Sequence, residues 1–397
     1  MTHTPLTRAR SRVLRVSLVL TMLLACGTLG CERAAAAVSA ASWDSAQQRQ
    51  VLADGLMSEN AGSFSGAGHL SGAQANAAMA ALVPMLPSTS VKPTEPGEPG
   101  AGEPGEPGTG EPGTGEPGEP GASEESTVPT PTSVPALPPA PVAHTAQNPV
   151  TVATFDRMLV EELGFATVAA HVQQTAAAVG LDPPFYLGTE VVARFLELRY
   201  EHPVGAQRLD LFPDQPITRA EAAWSLSKVI DLNAWNISDA REALSAFELP
   251  QMTAPQRQAL RIAVSRIGYP YVWGGTTDNT ADGLEHGGFD CSGFAWRVYK
   301  VSGLPWGKQI RGRTAAEQAG EIPRSGRLSI DQLQPGDLLF FGSAHLDSKA
   351  TESNIIHEGI YLGDGWVIHS SGQGVYVLPL TGSWLGSSFA WGRRVIN

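Results

Sequence analysis

The stretch Phe289-Asp290-Cys291-Ser292-Gly293-Phe294-Ala295-Trp296 decides how the C-terminal third of this chain is read. Residues 292–300 have helical spacing, with Phe294 and Val298 on one side, and Asp290 is a good N-cap. Cys291 then falls in the first turn of a helix, where unpaired backbone N–H groups and the helix dipole favour an anion. The placement predicts a thiol pKa lowered toward thiolate. Upstream, Thr253-Ala254-Pro255 opens an earlier helix whose apolar face is Leu260, Ala263, Val264 and Ile267, and Gly268 ends it. Between the two lie Tyr269-Pro270-Tyr271-Val272-Trp273-Gly274-Gly275 and a polar insert from Thr276 to Gly288.

A nucleophilic thiolate needs a base, and the base an orienting partner. Asn354 to Leu362 reads as a strand, Gly363-Asp364-Gly365 as a turn, and Trp366 to Ser370 as the return strand. With a three-residue loop Leu362 faces Trp366, so Gly359 faces His369. His357 shares a face with Gly359, which puts both imidazoles on one side of the hairpin, one diagonal step apart. A two-residue loop would send them to opposite faces, and the Gly at the third loop position favours the longer form with a bulge. His286 and His345 lie in polar, loop-like sequence and read as solvated.

At this point residues 254–397 resemble the NlpC-type cell-wall peptidases. The matching residues are Tyr271-Val272-Trp273-Gly274-Gly275, Phe289-Asp290-Cys291-Ser292-Gly293-Phe294, Pro335-Gly336-Asp337-Leu338-Leu339-Phe340-Phe341, His357 with Gly359-Ile360-Tyr361-Leu362-Gly363, and Ile368-His369-Ser370. The resemblance implies a papain-like α+β domain in which N-terminal helices pack on an antiparallel sheet, here formed from 337–343, 355–362, 366–371, 375–380 and 389–395. It implies a thiol endopeptidase acting on peptidoglycan stem peptides at the γ-D-glutamyl to diamino acid bond. Cys291 would be the nucleophile, His357 the base and His369 the third polar residue. Tyr271 would stabilise the oxyanion, and Asp290 and Ser292 would line the stem-peptide site. No metal or cofactor is implied. Two departures stand out. Tyr271 and Cys291 are 20 residues apart, longer than is usual, so 282–288 looks like an inserted loop. Glu358 stands where an apolar residue usually follows the base; strand alternation points it away from His357.

Composition separates the rest of the chain. Seven Glu-Pro-Gly units begin at Glu95, Glu98, Glu103, Glu106, Glu111, Glu116 and Glu119, broken out of collagen phase by Gly-Ala-Gly and Gly-Thr-Gly. With no large apolar residue between Pro93 and Gly121 to offset ordering entropy, that tract, continued by Pro-rich sequence, reads as a disordered acidic linker over 87–148 acting as a tether. A weak repeat with a 67-residue offset aligns Pro149-Val150-Thr151 with Pro216-Ile217-Thr218, and Leu70-Ser71-Gly72 begins a third copy after Phe64. Each has Ser or Thr where an N-cap belongs, and Glu221 three residues after Thr218 completes a capping box. Phe212 with Ile217-Thr218-Arg219-Ala220-Glu221 resembles S-layer homology repeats. That resemblance implies binding of anionic cell-wall polysaccharide through Thr218, Arg219 and Glu221, although only one copy keeps the Arg.

The N-terminus reads as an export signal: Arg8, Arg10, Arg12 and Arg15, then the apolar run Val16–Ala25. Leu23-Leu24-Ala25-Cys26 resembles a lipoprotein processing site, with the lipid on Cys26, while Ala34–Ala40 suits ordinary cleavage. Both outcomes stay open. The formal charge of −12 excludes a duplex nucleic-acid binder, and three unequally spaced Cys exclude a disulfide framework. The expected organisation is an export signal over 1–40, a degenerate repeat over 43–86, linker 87–148, helical repeats over 149–250 and the peptidase domain over 254–397. The expected protein is an exported bacterial wall hydrolase of the envelope or exterior. Its partners would be peptidoglycan, wall polysaccharide and, through a lipid, the membrane. A thiol amidase or acyltransferase on the same fold, or a wall-binding S-layer-associated protein, is the alternative.

Overall fold

A computed structural model describes residues 43–60, 62–87, 136–139, 146–278 and 287–396. The export signal with Cys26, the Glu-Pro-Gly units, and residues 279–286 with His286 lie outside them.

Seven helices form the upstream module: α1 (Ser45–Ala53), α2 (Gly72–Leu82), α3 (Val152–Glu162), α4 (Ala166–Ala178), α5 (Leu187–Phe195), α6 (Arg219–Asp231) and α7 (Ala234–Ser245). The three sequence copies start α2, α3 and α6, each behind a hydroxyl cap: Ser71, Thr151 and Thr218. Their entry segments close a ring of main-chain bonds. Leu70 N–H donates to Ile217 O (3.0 Å), Ile217 N–H to Val150 O (2.9 Å) and Val150 N–H to Leu70 O (2.9 Å). Extended residues before each cap thus satisfy one another's buried backbone groups, which three isolated helices could not do. The full capping box forms at Ser71 with Gln74. At Thr218 only half of it exists, because the Glu221 side chain turns inward to His202 (3.5 Å) instead of back to the cap.

The ring joins the copy that begins at Leu70 to the copies that begin at Val150 and Ile217 in one module. Within the expected linker, residues 136–139 dock on the module: Pro138 O accepts from Arg157 (2.6 Å) and Leu137 packs against the core.

The C-terminal third begins with α8 (Ala254–Val264), capped by a Thr253–Gln256 box. Then come β1 (Thr276–Thr277), β2 (Gly288–Phe289), α9 (Cys291–Val301), α10 (Ala315–Gly320), β3 (Arg327–Leu328), β4 (Leu338–Gly342), β5 (Ile355–Gly363), β6 (Trp366–Ser371), β7 (Gly374–Pro379), α11 (Trp384–Ser388) and β8 (Phe389–Arg393). The main sheet is antiparallel with order β3-β8-β4-β5-β6-β7. Helix α9 packs across β5 and β6, burying Phe294 and Val298 against Ile360 and Ile368, so the architecture is α+β. The opposite face carries a smaller apolar cluster of Leu339, Phe341, Tyr361, Val367, Leu380 and Leu385.

The two parts share one continuous core, with Phe247 of the module against Trp366 (ring centroids 4.9 Å) and Phe212 against Tyr269 (4.9 Å). Helix α5 lies along edge strand β7, and the buried Arg194 donates to Gly268 O (2.9 Å) while pairing with Glu190 (3.0 Å). Covering β7 in this way removes an open sheet edge.

Candidate active site

The nucleophile's position is built by its neighbours in sequence. Asp290 caps α9, its Oδ1 accepting from Gly293 N–H (2.7 Å), which sets Cys291 as the first helical residue. Gly293 has no room for a side chain: a Cβ would lie 1.9 Å from Gly275 O. The helix start is therefore pressed onto the 270–275 segment. That segment runs beside 288–290 through Val272 N–H to Phe289 O (3.1 Å) and Phe289 N–H to Pro270 O (3.1 Å). Ser370 Oγ on β6 donates to Phe289 O (2.7 Å), tying the sheet to the residue two before the thiol. The Ser292 and Glu358 peptides lie close enough to Cys291 to favour its charged form slightly.

The two imidazoles meet. His357 Nε2 and His369 Nδ1 are 2.9 Å apart, and Gly359 stands directly opposite His369. A Cβ at Gly359 would come within 3.2 Å of the His369 Cβ and 2.8 Å of Val367, so glycine here leaves the space in which the rings touch. The register is the expected one, but the route to it differs. The loop is two residues, Asp364 (φ 46°) and Gly365 (φ 84°), and an irregularity between Tyr361 and Gly363 restores the parity that the short loop would have reversed. The bulge lies ahead of the turn rather than inside it.

An aromatic wall surrounds the pair: Phe341 at 5.8 Å and Trp384 at 5.1 Å from His357, and Tyr376 at 4.4 Å from His369. Burial pushes the His357 pKa down to about 3 and drives His369 well below the ordinary imidazole value, with His357 adding to the second shift. Both rings are neutral near pH 7. For His357 to accept a proton at Nδ1, its Nε2 must carry the hydrogen and donate it to His369 Nδ1. This fixes both tautomers, and His369 Nε2–H then has no hydrogen-bond partner among the described residues.

The thiol does not behave as the helix placement predicts. Burial, then the Asp290 and Glu358 carboxyls, push Cys291 up to about 12, and the two peptide N–H groups only partly oppose this. Desolvation outweighs the helix dipole, whose contribution is about 0.3–2 kcal/mol. The resting pair is a neutral thiol and a neutral imidazole.

Burial, and after it the nearby Cys291, push the Tyr271 hydroxyl up, so it stays a donor. Asp290 and Ser292 do not line an open site. Asp290 is gripped by Arg313 (Nη1 to Oδ1 3.0 Å, Nη2 to Oδ2 2.8 Å) and accepts from Gly274 N–H (3.0 Å). Ser292 is buried and shares the same guanidinium (3.2 Å). In this structure their side chains hydrogen-bond internally. Arg313, Trp384 and Tyr376 escaped the sequence reading; Arg313 lies 23 residues from Asp290, and no local pattern links them.

The residues expected to hold wall glycan are also committed. The Thr218 hydroxyl caps α6 (3.2 Å from Glu221 N). Arg219 is 1% exposed, donates to Phe64 O (2.8 Å) and Ser58 O, and lies over the Phe64 ring (4.8 Å). Glu221 is buried beside His202, and its burial raises its pKa to about 7. The Arg219 charge is spent on joining two copies of the repeat. His345 belongs to a turn, its N–H donating to Ser348 (3.0 Å).

The site thus combines a thiol at the start of a helix packed on an antiparallel sheet with a histidine pair on that sheet. Residues 268–394 match the NlpC/P60 family. The γ-D-glutamyl-L-lysine dipeptidyl-peptidase of Bacillus subtilis is 33% identical over 118 residues, covering 29% of this chain and 32% of that protein. The bifunctional muramidase/DL-endopeptidase CwlT of Bacillus subtilis is 33% identical over 135 residues, 34% of this chain and 35% of its own length. Among solved structures, the NlpC/p60 domain of peptidoglycan hydrolase SagA is 30% identical, with 35% of this chain and 97% of that one covered at a TM-score of 0.26. The chain spans about a third of the length of the curated relatives it matches.

Proposed function

We propose that this chain is an exported thiol endopeptidase of the bacterial envelope that cleaves peptidoglycan stem peptides, at the γ-D-glutamyl to diamino acid bond. The observation that carries the reading is a thiol at the first position of α9, a helix packed on strands β5 and β6, which carry a His357–His369 pair at 2.9 Å. The names of the relatives at 33% identity support the substrate class.

In this mechanism His357 Nδ1 takes the Cys291 proton as the sulfur attacks the scissile carbonyl carbon. Proton transfer accompanies attack, because a neutral pair is the resting state. The carbonyl oxygen gains the negative charge and accepts a hydrogen bond from the Tyr271 hydroxyl. Imidazolium, held in place by His369, returns the proton to the leaving amine as the C–N bond breaks. A thioester on Cys291 remains. Water, deprotonated by His357, adds to it and releases the carboxylic acid and the free thiol.

Cys291→Ala and Cys291→Ser should each abolish cleavage of purified peptidoglycan while leaving circular dichroism and Tm unchanged, since a hydroxyl in this site is far from ionised. Mass spectrometry of the digest reads the bond cut. Wild-type fragment yield from either variant would remove the nucleophile assignment. Fragments ending elsewhere than at a γ-D-glutamyl residue would remove the bond assignment.

A further inference from the structure

Glu358 is a buried acid that the mechanism above does not use. It is 0% exposed, and neither carboxyl oxygen has a hydrogen-bond partner among the described residues. It lies opposite Phe340 in the β4–β5 register, on the sheet face covered by α9 and α10. The titratable and charged groups that face it are Asp290, Cys291 and Tyr299 from α9 and its cap, Arg313 and Glu321 flanking α10, and Arg393 from β8. Neither cation is free to pair with it. Arg393 donates to Gln318 O (3.0 Å), Gln309 O (3.0 Å) and Glu321 (2.6 Å), and Arg313 is held by Asp290. An ionised carboxylate without partners is costly to bury, so the resting form is the neutral acid. Burial accordingly drives this carboxyl well above the ordinary value.

Cys291 opens α9, the helix packed on β5, and the Glu358 carboxyl is near enough to oppose ionisation of that thiol. A charge appearing on the side chain therefore arises beside the place where the thiolate must form. In this low-dielectric setting two like charges oppose one another strongly.

We propose that Glu358 is a proton-gated positioning residue for the nucleophile: as the neutral acid it permits a thiolate at Cys291, and on losing its proton it suppresses that thiolate. The site is then attenuated on the alkaline side by a group that never meets substrate. The inference rests on the thiol-peptidase reading only for its consequence; the coupling itself concerns two groups of this chain.

The test measures Cys291 alkylation by iodoacetamide from pH 5 to 10 on the full chain, read by mass spectrometry of the Cys291 peptide, for wild type, Glu358→Gln and Glu358→Leu. Loss of the coupling should speed alkylation about three- to tenfold in both variants on the alkaline side, where a one-unit shift of the thiol is tenfold. The difference should fade toward acid pH, where wild-type Glu358 is neutral. A second readout is Tm. Because the native acid keeps its proton while the unfolded chain loses it above the ordinary 4.5, wild-type stability falls as pH rises. Glu358→Gln should remove that fall, widening its Tm advantage from pH 4 to 8. Superimposable alkylation profiles, or a uniform change at every pH in both variants, would overturn the proposal. Muropeptide cleavage is not involved, so failure of the peptidase reading would appear separately, as alkylation coupling without peptide hydrolysis.

Discussion

His357 and His369 are hydrogen-bonded to each other, and in the proposed reaction with Cys291 their positions give them different roles. His357→Ala removes the proton acceptor and should lower kcat/KM by about a hundred- to ten-thousandfold. His369→Ala should cost less, because water can take the place of an acceptor at Nε2 of His357. His369→Asn, which keeps a carbonyl acceptor, should retain more activity than His369→Ala; equal loss in all three would mean that the imidazoles act inseparably. The pH dependence follows from burial. His357 must be neutral to work, and with its pKa lowered to about 3 it remains a base well below the ordinary 6.5. The acid limb of kcat/KM should therefore lie well below 6.5, and a midpoint at or above that value would mean an imidazole open to water. The same shift destabilises the fold in acid: below 6.5 the unfolded chain takes up a proton that the native ring refuses, so stability declines as pH falls toward 3.

At the scale of elements, two features decide whether those residues meet. One is the contact between α9 and the 270–275 segment. Gly293→Ala would place a methyl 1.9 Å from Gly275 O and force the helix start away from it. The expected cost is about 1–3 kcal/mol or more, by analogy with overpacked cores. Both Tm and the Cys291 alkylation rate should change, and a fully wild-type Gly293→Ala protein would show that α9 is not held there. The other feature is the β5–β6 hairpin, whose parity depends on the bulge at Leu362 together with the Asp364-Gly365 turn. Alternation with period two made the shared face of His357 and His369 legible from sequence. Which residues formed the loop was not, because a short turn plus a bulge and a longer loop give the same pairing at Gly359.

Across the whole molecule, the repeat module and the catalytic domain share a core, so they should unfold together. Calorimetry of the full chain should show one cooperative transition for these parts, and two well-separated transitions would contradict the common core. Arg194→Ala tests the joint directly. It leaves Glu190, fully buried, without its partner and frees Gly268 O. Breaking a buried pair from one side costs about 3–5 kcal/mol, so the single transition should move to lower temperature as a whole. A variant that melts only part of the chain early would show that the joint is looser than its burial implies.

What the sequence determined by itself was local. Helix caps at Ser71, Thr151, Thr218, Thr253 and Asp290 are written in side chains that reach three residues ahead, and strand alternation fixes a face without reference to anything distant. The helical start at Cys291 and the matching faces of the two histidines belong to that class. The tertiary structure decided everything that depends on burial. Arg219 reads as a surface cation until Phe64 and Ser58, more than 150 residues earlier, close over it. The thiol reads as acidic from its helix position and becomes the reverse once the fold buries it, with Asp290 brought beside it. Desolvation is a sum over all neighbours in space, and most of those neighbours are far away in sequence; no window along the chain contains them.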